Sequence, residues 1–181
     1  MKKLFAFFIV LLFISMAQAQ SSSTFCNQVW MDKNLNADTY RNGDKIPNVE
    51  DPKEWVALTT GAWCWYNNDS SRNGKYGKLY NWYAIKDPRG LAPQGWHIPS
   101  DAEWTTLTTC NEGKSAGVLG LGGSYRDING NFLRINNYTF WWSSTENDMG
   151  SPLIYSMNIT QNRSRGATDK GNGFSVLCLK D

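Results

Sequence analysis

The stretch "GWHIPSDAEW", Gly95–Trp104, carries the clearest local folding signal in the chain. Ser100 and Glu103 have the S-x-x-E spacing of a capping box, in which each side chain bonds the backbone N–H of the other residue. Because Pro99 helps to fix the approach to this box, the pattern predicts a helix from Ser100 to Thr109. The residues on its inward face are then Trp104, Leu107 and Cys110.

The same stretch contains His97, the single histidine of the chain. A catalytic histidine needs a nucleophile and an orienting acid, and the nearest serine, Ser100, is already used as a helix cap. Glu103, which a glycosidase reading would use as one of two paired carboxylates, also has a role in the capping box. We therefore predict that His97 packs or hydrogen-bonds in the turn before the helix, and we predict no catalytic residue, metal site or cofactor.

The remaining elements are short. Leu79–Lys86 has helical spacing and ends at Asp87-Pro88, and Asn129-Gly130 is a hairpin turn signal. Runs that are short or alternate between apolar and polar residues predict strands at Gln28–Met31, Trp141–Ser144, Ile154–Ile159 and Phe174–Leu179. Two early helices followed by antiparallel strands indicate one α+β domain.

The first residues predict export. Lys2 and Lys3 precede an apolar run, and Ala17-Gln18-Ala19 has the form of a cleavage site, so Met1–Ala19 reads as a signal peptide and residues 20–181 as a single domain. No later apolar stretch predicts a membrane span. The 18 basic residues include Lys2 and Lys3, so without residues 1–19 the basic residues balance the 16 acidic ones. This balance, with no basic cluster, argues against a nucleic-acid partner.

Four cysteines follow the predicted signal peptide, and an even number in an exported chain suggests two disulfides. Their spacings are too wide for a zinc site. Three pairings of Cys26, Cys64, Cys110 and Cys178 are open on this argument alone.

Two aromatic stretches are candidates for a binding surface. "WCWYNND", Trp63–Asp69, and "FWWSSTEND", Phe140–Asp148, combine indoles with amide and carboxylate groups. Sugar-binding sites need both a flat apolar face and planar polar groups. Strand alternation places Trp141 and Trp142 on opposite faces, so one of the two is expected to face outward. The predicted ligand-binding residues are Trp65, Tyr66, Trp142, Glu146, Asn147 and Asp148.

The chain resembles the Fibrobacter succinogenes major paralogous domain family. The resemblance rests on the stretches "NQVWMDKNLN", "YRNGDKIPNVEDPKEWVALTTGAWCWYNND", "YGKLYNWYAIKDPRGLAPQGWHIPSDAEWTTL", "GGSYRDINGNF", "YTFWWSSTEN" and "GFSVLCLKD". These domains are similar to the C-type lectin-like superfamily and, more distantly, to formylglycine-generating enzymes. The resemblance implies two short helices, a small twisted antiparallel sheet whose terminal strands are neighbours, and long loops. The segment from Glu112 to Gly122 is shorter than is usual in the family.

The resemblance also implies a cysteine pairing and a function. It pairs Cys64 with Cys178 and Cys26 with Cys110. It suggests a secreted or cell-surface binding module that is not an enzyme, with a glycan or a surface protein as its partner, in the periplasm, on the cell surface or outside the cell. The alternatives are an exported enzyme with a redox-active thiol, related to the formylglycine-generating group, and a structural subunit of a surface assembly.

Overall fold

The structure is a computed structural model, and it describes residues 20–72, 77–110, 125–133, 138–158 and 162–181. The predicted signal peptide and the Glu112–Gly122 segment lie outside these residues. The helices are α1 (Pro52–Val56), α2 (Trp82–Ile85) and α3 (Asp101–Thr109), with short 3₁₀ turns at Tyr66–Asn68 and Ser70–Arg72. The strands are β1 (Ser22–Phe25), β2 (Gln28–Met31), β3 (Trp63–Cys64), β4 (Leu79–Tyr80), β5 (Trp96–His97), β6 (Tyr125–Arg126), β7 (Phe132–Leu133), β8 (Tyr138–Glu146), β9 (Pro152–Asn158), β10 (Arg163–Ala167) and β11 (Leu179–Lys180). None of the helices within these ranges is long and apolar enough to cross a membrane.

The strands form small antiparallel sheets. A four-stranded sheet has the order β1-β2-β11-β5, and a three-stranded sheet has the order β10-β9-β8. In the first sheet Leu179 pairs with Trp30 on one side and with His97 on the other. The first and last described strands therefore belong to one sheet, but β2, and not the terminal strand β1, is the direct neighbour of β11. The mixed α and β composition predicted from the sequence is confirmed.

Gly173 to Ser175 connects the sheets instead of forming the predicted strand Phe174–Leu179. Phe174 makes a single bridge to Tyr80, and Ser175 makes one to Trp141. All side chains from Asn172 to Leu179 are buried, so the alternation in the sequence does not separate an inner from an outer face. The segment is covered by different partners on both sides, and only Leu179–Lys180 is a strand.

The helix α3 ends at Thr109 as predicted and begins one residue later than predicted, at Asp101, with Ser100 as the N-cap of a complete capping box. The predicted helix Leu79–Lys86 is shorter, because Leu79–Tyr80 pairs as strand β4 and Asn81 caps a helix that starts at Trp82. The Asn81 side chain accepts hydrogen bonds from the backbone N–H groups of both Ala62 and Ala84. Asn81 therefore ties the short helix α2 to the segment before β3.

The hairpin signal at Asn129-Gly130 is confirmed between β6 and β7. Gly130 has φ +80°, and a Cβ atom there would meet the backbone of Pro52 at 2.7–2.8 Å. Only glycine allows both this left-handed conformation and this close approach. The contact seats the hairpin against the start of α1, a helix that we did not predict.

The core is built from tryptophan. Trp30, Trp82, Trp104, Trp141 and Trp142 belong to one large cluster, and the side chain of each is almost completely inaccessible. A smaller cluster lies around Trp55 and includes the side chains of Val49, Ala62, Cys64, Tyr66 and Leu79. Indole rings at centroid distances of 5.0–5.8 Å, within the range of favourable aromatic pairs, connect the main cluster.

One disulfide joins Cys26 to Cys110, with 6.3 Å between their Cα atoms, and confirms that pairing. Cys26 and Asn27 form the two-residue turn between β1 and β2, both at positive φ, as hairpins of this length require. Cys110 is the C-cap of α3. The bridge therefore fixes the end of the helix to the first hairpin.

The second predicted disulfide, Cys64–Cys178, is wrong in this structure, where both cysteines are free and buried. Cys64 lies in the smaller cluster around Trp55, whereas Cys178 lies in the main core beside the strand that contains Met31. The two thiols pack into different parts of the interior. Each of the two cysteines lies in a stretch that resembles the family, and these two stretches are buried at separate places.

Candidate functional site

The six predicted ligand-binding residues lie in two separate segments of the chain. Trp65 and Tyr66 follow β3, while Glu146, Asn147 and Asp148 lie at the turn from β8 to β9. Among the described residues, no hydrogen bond, ion pair or ring contact joins the first group to the second.

Trp142 has no accessible side chain (0%), which corrects the prediction that one indole of the Trp141–Trp142 pair faces outward. The two rings do lie on opposite faces of β8, but both faces are covered. Trp141 packs against Trp104, and Trp142 packs against Trp82. The indole N–H of Trp142 donates to the carbonyl of Tyr80 at 2.7 Å. Trp142 is therefore a core residue.

The turn from β8 to β9 uses its polar groups internally. The Glu146 carboxylate accepts from the indole N–H of Trp82 at 3.1 Å and pairs with Lys170 at 2.8 Å. The hydrogen bond from Lys170 lowers the pKa of Glu146. The Asn147 side-chain oxygen accepts from the backbone N–H groups of Met149 and Ser151. These contacts shape the turn and leave Asp148 exposed on it.

Trp65 is the predicted residue that keeps an aromatic surface at the boundary with solvent. Its ring is half-buried and meets the Trp63 ring edge-on, with 5.3 Å between centroids. Tyr66 is buried, and its ring packs edge-on against Phe132. Since Tyr66 points inward, Trp65 is the more accessible aromatic group of this pair.

Sequence reasoning missed Lys78, which lies against Trp65 and Trp63. The Lys78 ammonium is 3.8 Å from the centroid of the Trp63 ring and 5.2 Å from that of Trp65. Its side chain is only 4% exposed. Burial lowers the pKa of Lys78, and the negative charge of Asp38 opposes this effect. We refer to Trp63, Trp65 and Lys78 together as the Trp–Lys corner.

The backbone explains why Lys78 points inward. Its N–H donates to the carbonyl of Leu35, and Gly77, with φ +69°, lies close to Asn34 and Leu35. A Cβ at Gly77 would lie 2.8 Å from both neighbours, so a side chain is excluded there. Lys78 and the buried Tyr80 are two residues apart, which is the spacing of side chains on one face of a strand. This spacing could have indicated that Lys78 faces inward like Tyr80. The helix predicted at Leu79–Lys86 implied a different periodicity, so the spacing was not used.

His97 is held by carboxylates at both ring nitrogens. Nδ1 lies 2.8 Å from Asp181, and Nε2 lies 2.9 Å from Glu103. Burial lowers the pKa of His97, but the hydrogen bonds with Asp181 and Glu103 outweigh it, so the pKa lies above its usual value. The second oxygen of Glu103 accepts from Ser100, so one carboxylate serves both the capping box and the histidine. The hydrogen-bonding role predicted for His97 is confirmed.

The thiols and acids offer little conventional site chemistry. Burial raises the pKa of Cys64, and that of Cys178, to about 12, which makes both thiols poor nucleophiles near neutral pH. In the ranges that the structure covers, no three His, Cys, Asp or Glu side chains are grouped so as to hold a metal ion.

The fold and the site define a mixed α and β domain with small antiparallel sheets, a tryptophan core and an indole–ammonium corner at its surface. The sequence model of the Fibrobacter succinogenes major domain matches residues 24–119, more than half of the 181-residue chain. The chain belongs to this family. Searches of curated proteins and of solved structures find no match to the chain.

Proposed function

We propose that this protein is an exported binding module of the C-type lectin-like type, without enzymatic activity, and that its ligand is a carbohydrate. The observation that carries the proposal is the half-buried indole of Trp65 in the Trp–Lys corner. An indole at a surface offers a broad, rigid apolar face, and the C–H groups of a pyranose ring present a matching one. The adjacent ammonium supplies a hydrogen-bond donor, so both chemistries that a saccharide needs are present.

Other features support export and the lectin-like comparison. The Cys26–Cys110 disulfide is typical of proteins that mature in an oxidising compartment. The pairing of β2 with β11 brings the ends of the domain together, as in the architecture that the family resemblance implies. The long part of the chain between β2 and β11 would then be available to form a binding surface.

The state of the cysteines favours a binding module over the related enzyme. An oxidase of the formylglycine-generating kind needs an accessible, reactive thiol, whereas Cys64 and Cys178 are buried and have raised pKa values. Brief iodoacetamide treatment of the folded, non-reduced protein tests the choice. Rapid labelling of either cysteine would favour the enzyme.

A glycan array tests the proposed function. The exported protein is applied to a broad array with calcium and again with EDTA, followed by Trp65→Ala and by Tyr138→Ala as a matched aromatic control. Tyr138 is exposed, and its ring packs on Phe140 in β8, away from the contacts of the corner. We expect binding to a defined glycan that Trp65→Ala removes and Tyr138→Ala retains, with both variants folded by circular dichroism.

Two results would contradict the proposal. Equal glycan binding by the wild type and a folded Trp65→Ala variant would move the surface elsewhere. A blank array with and without calcium would reject carbohydrate as the ligand and favour a protein partner.

A further inference from the structure

Lys78 presents a nearly buried positive charge without an anion. Within the described residues its ammonium forms no ion pair and no side-chain hydrogen bond, and its contacts are the faces of Trp63 and Trp65. The negative charge of Asp38 acts on Lys78, but the two residues form no ion pair. Taking an ammonium out of water is costly unless an anion or several acceptors replace the lost water. The corner therefore holds a donor group that no acceptor of the described protein residues satisfies.

A second buried cation in the described chain shows the contrast. Arg126 is completely buried, and its guanidinium donates to the carbonyl oxygens of Val49, Glu50 and Gly130 at 2.7–3.1 Å. Its plane also lies over the rings of Trp55 and Phe132. Arg126 is thus satisfied by the fold itself. Lys78 has the aromatic contacts of such a cation but lacks its acceptors.

We propose that the Trp–Lys corner is a subsite for an acidic saccharide, specifically a hexuronic acid residue. The Lys78 ammonium would bond the carboxylate of the sugar, and the Trp65 indole would contact its pyranose ring. This inference rests on the proposed carbohydrate-binding function and names the class of ligand at the same surface. No covalent step is involved.

The geometry selects a uronic acid among anionic ligands. In a hexuronic acid the carboxyl carbon is bonded directly to the ring, so the charge and the apolar face are held together in one rigid unit. The corner holds its charge and its indole equally close, with 5.2 Å between the Lys78 ammonium and the Trp65 centroid. A neutral sugar would contact Trp65 and leave Lys78 without an anion. An acidic peptide side chain would reach Lys78 without presenting a flat C–H face to the indole.

The test compares two ligands that differ only in the carboxyl group. Oligogalacturonate and its carboxyl-reduced counterpart, a neutral oligogalactoside, are titrated by calorimetry into the wild type, Lys78→Met and Trp65→Ala. Methionine keeps an unbranched apolar stem over Trp63 and removes the charge. Circular dichroism and thermal unfolding confirm that each variant is folded.

We expect the wild type to prefer the uronate by about tenfold or more, as a charged hydrogen bond in a desolvated position can supply. Lys78→Met should abolish this preference, because it weakens the binding of the uronate far more than the binding of the neutral oligosaccharide. Trp65→Ala should weaken the binding of both ligands. In the wild type, added salt should weaken uronate binding more than neutral binding.

The outcomes separate the two proposals. The acidic-saccharide inference would be overturned if the wild type bound both ligands with equal affinity, or if its preference for the uronate survived in Lys78→Met. In either case, binding of a neutral glycan that depends on Trp65 would still uphold the proposed function. Absence of binding to either oligosaccharide overturns the inference, and the array then decides the proposed function separately. If Lys78→Met does not fold, the wild-type preference and its salt dependence decide the inference.

Discussion

Removing the Cys26–Cys110 disulfide should destabilise the domain strongly. The two cysteines are 84 residues apart in the sequence, and the chain-entropy relation gives about 4.5 kcal/mol for a cross-link that closes a loop of this length. Total stabilities of single domains are about 5–15 kcal/mol, so the loss is a large part of the whole. Both sulfurs lie in half-buried residues, so substitution by serine adds little further cost.

The assay is urea unfolding followed by tryptophan fluorescence, on the wild type and on the double variant Cys26→Ser/Cys110→Ser. With a urea dependence of about 2 kcal/mol per M, the midpoint should fall by about 2 M. The wild type in the presence of a phosphine reductant is the matched comparison, and it should unfold at the midpoint of the double variant.

The same experiment also tests the free state of Cys64 and Cys178. Reductant should not change the midpoint of the double variant, because the structure leaves no second bridge to reduce. A further drop on reduction would reveal a Cys64–Cys178 bond and refute our correction. A loss below about 1 kcal/mol in the double variant would refute the loop-closure reasoning itself.

Three other perturbations follow from the contacts. Because the pKa of His97 is raised, its contribution to the free energy of unfolding is complete below pH 6.5 and is lost as the pH rises further. Because the pKa of Glu103 is lowered, the contribution of Glu103 is complete above pH 4.5 and is lost as the pH falls. Urea titrations should therefore show that His97→Gln is most destabilising between these pH values, by about 1 kcal/mol or less for so exposed a pair. Arg126→Met leaves the carbonyl groups of Val49, Glu50 and Gly130 without their donor and should cost about 3–5 kcal/mol in urea unfolding, and a cost below about 1 kcal/mol would contradict the assigned bonds. Trp142→Phe opens a cavity and removes the bond to Tyr80, so calorimetry should show a stability loss of about 2–4 kcal/mol with unchanged glycan affinity, whereas an altered affinity would return Trp142 to the binding surface.

The parts of the fold that could be predicted from sequence are those set by local chemistry. Ser100 and Glu103 determine the start of α3 because a capping box is complete within four residues. Helix α1 has a comparable signal, an Asp51 cap followed by a proline at the first helical position, which we did not use. Strand alternation correctly placed neighbouring side chains on opposite faces of β8, but it carries no information on whether another element covers each face.

The candidate site depended on contacts that are distant in sequence. Lys78 is turned inward by the approach of Gly77 to Asn34, more than 40 residues earlier in the chain, and nothing local indicates that approach. The Cys64–Cys178 prediction failed for the same reason, since shared motifs do not report which part of the core each thiol enters. Trp65 became a candidate because the indoles and polar side chains of "WCWYNND" can be read from a short window, whereas its half-buried position comes from the structure.

The pairing of β2 with β11 has a consequence for how the protein is made. Strand β2 lies near the start of the described chain and β11 at its end, and β11 also separates β2 from β5 in the same sheet. The four-stranded sheet therefore stays incomplete while the ribosome is adding residues up to Leu179. Contacts of such high sequence separation form slowly, and a nascent chain that lacks its last strand remains open. Under the proposed export, a translocation pore that accepts only extended polypeptide would meet the chain in this open state.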